Sequence, residues 1–475
     1  MRRTYSLAAS VALLLLGQHA GLTAQNLLVH GGTVVTSEGS FEADVLVRAG
    51  VIAAVGRDLN AESGVRRIDA SGLLVLPGGV DPHVHLGGRW VDDYRTGSMA
   101  ALAGGITTIS NFASAGRGSD LTEVIDRQAA LIAQQAIADV ILHTTINDPE
   151  AHAPQMGALA ATGQTSIKIF MNFGGFDPNA SAFLQMIAAA GDAGVLTMIH
   201  AEDASILANQ AAELEAQGRT SVAYQPEARP ALAEEVAMMR AVAMAEQTGS
   251  PVYAVHVSSE RALRVAQAAR ARGLPFFIET RPIYLHLTRE RFDGPDAGLY
   301  VGQPPLREQS DQDALWEALA NGTIDVVGTD HVAYSREDKL DPSQTITNHR
   351  AGMNHLQMLR PLLFSDGVLA GRISVERFVE VTATNPAKLF GIFPEKGTIA
   401  VGSDADLVLW DPEETRTVRD QDMLSATGFS IYAGWEVTGW PVVTLRRGEV
   451  VFEGGEITGQ AGTGRLLERS RWEER

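Results

Sequence analysis

Leu73-Leu74-Val75-Leu76-Pro77-Gly78-Gly79-Val80-Asp81-Pro82-His83-Val84-His85 decides how this 475-residue chain is read. An apolar run punctuated by Pro and Gly predicts a buried strand, and two histidines spaced i, i+2 at its end project from one face. Two imidazoles on one face can meet a single cation. Alone, the pair would be equally at home in ordinary strand-end hydrogen bonding, so the rest of the chain decides.

Seven further short apolar runs follow: Ile106 to Ser110, Val140 to Thr145, Ser166 to Met171, Val195 to Ile199, Pro251 to Val255, Pro275 to Ile278 and Thr323 to Val327. Helical patterns separate them, with Asp120 placed to cap Leu121 to Ala136, and Ser259 placed to cap Glu260 to Arg272 before Gly273 stops it. Eight strands joined by crossover helices predict an α/β chain built on a (β/α)8 TIM barrel, whose chemistry sits at the C-terminal strand ends. The first run closes with His83 and His85, the fourth contains Lys168, the fifth ends at His200, the sixth at His256 and the eighth at Asp330. Five strands then bring metal-competent side chains to one rim.

Lys168 is one of only four lysines (with Lys339, Lys388 and Lys396) among 38 basic residues, so arginine is this chain's default cation. A lysine kept inside Ser166-Ile167-Lys168-Ile169-Phe170 suggests chemistry that arginine cannot do, namely losing its proton when buried. The neutral amine can add carbon dioxide, and the carbamate formed can bridge two cations. The expected site has two divalent ions about 3.5–4 Å apart. His83, His85 and Asp330 hold the first, His200 and His256 the second, and modified Lys168 joins them. Nitrogen and oxygen ligands without thiolate fit Zn²⁺ best, with Mn²⁺ or Co²⁺ as alternatives. A hydroxide shared by the ions would attack, its pKa lowered from 15.7 towards about 7. Asp330 is placed to act as the general base and acid.

A net charge of -19 argues against nucleic acid or anionic membrane as partners and favours a small molecule. With no cysteine there is no disulfide and no lipid-anchoring thiol. Arg2 and Arg3, the stretch Leu7 to Gly17, and small Ala20 and Ala24 predict a signal peptide over residues 1–24 and hence a periplasmic or secreted protein. Arg2-Arg3-Thr4-Tyr5-Ser6-Leu7 also has a faint twin-arginine look.

These motifs resemble the amidohydrolase superfamily and, within it, the hydantoinase and dihydropyrimidinase-like cyclic amidases. The resemblance spans nearly the whole mature chain. It rests on GGVDPHVHL, SIKIFM, MIHAED, AVHVSS, IETRPIYL, VGTDH and the long TNPAKLFGIFPEKGTIAVGSDADLVLWDP from Thr384 to Pro412. It implies a metal-dependent hydrolase of cyclic amide or imide C–N bonds, with a barrel over 76–394. It also implies a small β-sandwich built from both chain ends, 25–75 and 395–460, leaving 461–475 as a C-terminal tail. Tyr432 to Pro441 is similar to the family's C-terminal segment and implies a homo-oligomer, tetrameric in many relatives.

Departures from the family pattern bear on substrate. Hydantoinases typically carry a tyrosine five residues after the bridging lysine, where its hydroxyl stabilises the oxyanion; here Phe173 stands there. The serine that usually precedes the paired prolines is Gln303, whereas Asn348 aligns with a residue that contacts the substrate ring through its backbone. Tyr284, Arg281, Asn172 and Tyr334 are candidates for the missing donor. Dihydroorotases and allantoinases compete closely, yet the arginine many dihydroorotases place two residues after the second histidine is Gly87, followed by Gly88, and Arg89 has the wrong strand parity. A linear N-acyl amino acid is an alternative substrate, and a non-catalytic homologue is disfavoured because all six ligands are kept. His331 is expected to orient its neighbours, while His286, His349 and His355 have no assigned role.

Overall fold

The computed structural model describes residues 26–472. The leader expected over residues 1–24 lies outside them. The run Leu73 to Val80, expected as one strand, is divided. Leu74–Pro77 pairs with Leu27–Thr36 and Leu407–Thr417 in one sheet, and Gly79–Asp81 starts another beside Ile106–Ser114. Gly78 is the break, because a Cβ there would collide with the side chain of Thr107. Val84–His85 then pairs with His331–Val332 in a third, two-stranded sheet.

The barrel is built as expected from parallel strands. They are Gly79–Asp81, Ile106–Ser114, Asp139–Thr145, Ser166–Phe170, Leu196–His200, Val252–Ala254, Phe276–Thr280 and Val326–Val327, hydrogen-bonded in chain order. The first and eighth strands meet beyond their ends, where the Thr329 hydroxyl and amide donate to Asp81 at 2.6 and 3.1 Å and the short pair Val84–His85 and His331–Val332 continues the closure. Helix starts follow the sequence signals: Asp120 caps Leu121–Gln135 through the amide of Thr122, and Ser259 caps Glu260–Ala271.

The second sheet takes strands from both chain ends, from Leu27–Thr36 to Val51–Gly56 and from Leu407–Thr417 to Glu456–Ile457. Val29, Val45 and Ile52 from the first part and Leu407, Leu445 and Val450 from the second bury one common core, as the two layers of a sandwich do. Residues 461–472 pack across the N-terminal strand ends. Leu467 N donates to Val140 O, Trp472 N donates to Gly194 O, and the buried Arg469 donates to Ser166 Oγ at 2.8 Å.

Barrel and sandwich are tied by charge. Buried Lys396 places Nζ 2.7 Å from Asp139 of the third barrel strand and 2.9 Å from both Asp404 and Asp406, and Arg447 pairs with Asp139 as well. The three aspartates alone would suit a cation, but the ammonium already occupies them. Lys396→Met leaves the buried carboxylates of Asp139 and Asp406 facing each other and the partly buried Asp404, and is expected to cost about 3–5 kcal/mol, read as a lower midpoint of thermal unfolding. Burial opposes ionisation of Asp139, but Lys396 and Arg447 outweigh it and hold its carboxyl below the usual range. This contribution is therefore complete above the unfolded carboxylate value of about 3.9 and is lost as pH falls through the lowered folded value. Wild type and Lys396→Met should converge in stability in acid.

Candidate metal centre

The C-terminal strand ends deliver the expected groups to one place. Asp330 Oδ1 lies 3.2 Å from His83 Nε2 and 3.0 Å from His85 Nε2, and the ligand atoms of these three residues fall within 4.8 Å of one another. On the other side, His256 Nε2 is 2.9 Å from His200 Nδ1. Asp330 and His256 both adopt left-handed backbone, φ 48° and 43°. Side chains with a Cβ rarely enter that region, and strain of this kind gathers at functional sites.

Lys168 stands among these groups with no exposed surface, and its Nζ has no hydrogen-bond partner among the described residues. The rings of Phe112 and Phe170 lie 5.3 and 5.1 Å from it. Burial pushes the amine down to about 8, against the pull of Asp330 and Glu279. A buried amine with no partner among the described residues is costly unless something else completes it.

Groups behind the rim set which nitrogen each imidazole offers. Glu279 Oε1 holds His83 Nδ1 at 2.7 Å and accepts from His256 N at 2.9 Å, leaving His83 Nε2 to face Asp330. Glu202 holds His200 Nε2 at 2.7 Å and is itself clamped by Arg229, leaving His200 Nδ1 to face His256. Such carboxylate–histidine pairs fix tautomer and ring orientation in metal sites. Burial drives His83 and His256 well below the usual imidazole range, so both are neutral, the form that binds a cation. Burial likewise raises Glu279 to about 7, while Arg229 and His200 overcome burial at Glu202 and lower it to about 2. Burial also works against the Asp330 carboxylate, but Arg281, His83 and His85 together hold it well below the carboxylate range. Arg281 NH1 sits 3.1 Å from Asp330 Oδ2 and Nε donates to Thr329 O at 2.8 Å.

Sequence reasoning missed Glu279, Glu202 and Arg229. A carboxylate inside the apolar run Phe276–Thr280 was the available signal for the first, and the two-residue step from His200 was the signal for the second. Arg229, distant in sequence, carries no local signal.

The ligands open into a cavity of about 350 Å³. Of the expected substrate contacts, Gln303, Asn172 and Arg281 line it. Phe173 is 37% exposed and stands outside the lining, as does exposed Asn348, although Ala351 and Gly352 of the same loop reach it. The Tyr284 hydroxyl donates to Pro304 O at 2.7 Å, and Tyr334 is buried away from the lining. His331 binds Asp92 through Nε2 at 2.9 Å, and His355 Nε2 lies 3.3 Å from Arg281.

This donor set fits a pair of divalent cations: neutral imidazoles with one nitrogen already tethered, a carboxylate, and an orphaned amine between them. Residues 74–451 match the model of the amidohydrolase family. A D-hydantoinase of Ralstonia pickettii is 35% identical over 462 residues, covering 94% of this chain and 100% of the relative. Among solved structures, the D-hydantoinase of Bacillus sp. AR9 superposes with a TM-score of 0.90 at 36% identity, covering 94% of this chain and 99% of that one. The dihydropyrimidinase of Brevibacillus agri NCHU1002 does so with 0.90 at 34% identity, with the same coverage. Architecture, rim chemistry and sequence agree over the same residues, and this chain belongs to the amidohydrolase family.

Proposed function

We propose that this chain is an exported hydrolase that opens the C–N bond of a cyclic amide or imide. His83, His85 and Asp330 would hold one divalent ion, His200 and His256 a second, and carbamylated Lys168 would join them. Zn²⁺ suits this nitrogen and oxygen set best. The observation that carries the reading is Lys168 Nζ, buried beside four histidines and an aspartate at strand ends and without a hydrogen-bond partner among the described residues. When bound, the ions would supply an acidified water and a Lewis acid for the carbonyl.

The chain's own residues do the rest. Neutral Lys168 adds carbon dioxide by forming an N–C bond and releasing one proton to solvent, which turns an unpaired amine into an anion suited to the cationic site. Asp330 takes the proton of the attacking water and returns it to the leaving nitrogen as the C–N bond breaks, so no net proton is gained or lost by the protein. Arg281 keeps that carboxylate ionised and fixed between turns. The relatives named D-hydantoinase and dihydropyrimidinase support the substrate class.

A panel of hydantoin, dihydrouracil, cyclic imides and N-acyl amino acids, run with metal analysis, tests this. Two equivalents of metal and turnover of cyclic amides are expected. Turnover of N-acyl amino acids alone would make the substrate linear. Export and homo-oligomeric assembly belong to the same proposal: the extracytoplasmic protein should begin at Gln25 and elute above the mass of one chain.

A further inference from the structure

We infer that Lys339 is a positioning residue for this reaction: its ammonium fixes two stretches of backbone, 301–303 and 350–352, that supply part of the cavity wall. The inference rests on the hydrolase reading above and adds to it a residue that lies outside the cavity lining and in none of the ligand motifs.

Gln303, Ala351 and Gly352 line the cavity, and none of them lies in a helix or strand. Irregular backbone can present one arrangement to a substrate only if other contacts hold it. Lys339 provides that hold. Its Nζ donates to Val301 O at 2.9 Å, to Arg350 O at 2.7 Å and to Gly352 O at 2.7 Å. Val301 O also accepts from Gly352 N at 2.9 Å, so both stretches share one anchor. Gln344 adds a second tie: its Oε1 accepts from Arg350 N at 2.5 Å, and its Nε2 donates to Lys339 O at 2.8 Å.

The anchor is itself fixed. Lys339 ends the short helix Arg336–Lys339, which Ser335 Oγ caps by accepting from Asp338 N at 3.0 Å. Gly298 packs directly on it, since a Cβ there would lie 2.2 Å from Lys339 O. From the other side Gly352 packs on Val332, where a Cβ would meet the valine side chain at 2.4 Å, and Val332 pairs with His85. This part of the wall is thus clamped between a strand that carries a candidate metal ligand and a buried ammonium.

Holding it this way is costly. Lys339 is buried, burial and Arg281 both work against its charge, and no carboxylate among the described residues pairs with it. A methionine would fill similar space without burying a charge. The ammonium supplies three donors from one point, one for each converging carbonyl, where a neutral amine has two and the planar guanidinium that this chain otherwise favours cannot bring its donors to a point. What the charge secures is the placement of cavity-lining backbone.

Lys339→Met in metal-loaded protein tests the role. On whichever amide the wild type turns over, KM should rise by about 10-fold or more while kcat per bound metal stays within about three-fold, the pattern of lost binding rather than lost chemistry. A merely structural lysine would lower the folded fraction and leave the KM of the remainder unchanged, so a KM within about two-fold of wild type overturns the proposal. Amide hydrogen exchange read by mass spectrometry should quicken over 299–303 and 345–353 and stay as in wild type along the barrel strands; unchanged exchange in those two segments also overturns it. Should Lys339→Met fail to fold, Gln344→Leu at a half-exposed position carries the same test. Raised KM at full metal content is again expected, and unchanged KM is contrary. Turnover of linear amides alone, with the KM rise seen on them, would retire the cyclic reading and leave Lys339 in its role.

Discussion

Lys168→Ala is expected to bind less than one equivalent of metal and to lose activity by about 10⁴-fold or more, the scale reached when one member of a cooperating catalytic unit is removed. The fold should survive, because Nζ makes no hydrogen bond among the described residues and its removal strands none of them. Circular dichroism alongside metal analysis separates a lost site from a lost fold. Lys168→Arg makes the sharper comparison: it keeps the positive charge but stays protonated at any accessible pH, so it cannot become a carbamate. Equal loss in both variants is expected, and activity retained in Lys168→Arg would sink the carbamate. Reconstitution adds a pH signature. With the amine lowered to about 8 by burial, its neutral form is populated above that value. Metal uptake by metal-free protein in bicarbonate should therefore quicken as pH rises through about 8 and level off beyond it.

What the sequence discloses here is periodic or local. Each barrel run is short and apolar because a parallel strand is buried on both faces, and six metal-competent side chains sit at or within those runs, so both could be read without coordinates. The split at Gly78 could not be read that way. Pro77-Gly78-Gly79 punctuates an otherwise apolar Leu73 to Val80, but only the close approach of Thr107, remote in sequence, shows that one sheet ends there and the next begins.

The pocket was less legible than the metal rim for the same reason. Ligands are tied to strand ends, whereas pocket walls come from loops whose course depends on distant contacts. Phe173 occupies an expected pocket position in sequence and lies outside the lining, while Trp90, five residues past His85, lines it because Asp92 is pinned by His331 and Ser425. Glu279 shows the intermediate case. Its type and place in a buried strand were visible, but that it holds both His83 Nδ1 and His256 N came only with the fold.

Asp330→Asn is expected to lower kcat by about 10²–10⁴-fold, the range for loss of a general acid–base group. Asparagine is the right probe on three structural grounds. It tolerates left-handed backbone, so the φ of 48° need not change. It keeps the volume of the side chain between His83, His85 and Arg281. It leaves a carbonyl oxygen for the Arg281 NH1 that Asp330 Oδ2 now meets at 3.1 Å. Asp330→Ala would instead leave a fully buried guanidinium without its carboxylate, a loss of about 3–5 kcal/mol that would confuse stability with chemistry. The decisive measurement is kcat against metal content. Ions retained through His200, His256 and Lys168 with kcat depressed would assign the proton to Asp330. A kcat within ten-fold of wild type at full metal content would remove it from that role, since an amide in the same position can still coordinate but cannot carry the proton from water to the leaving nitrogen.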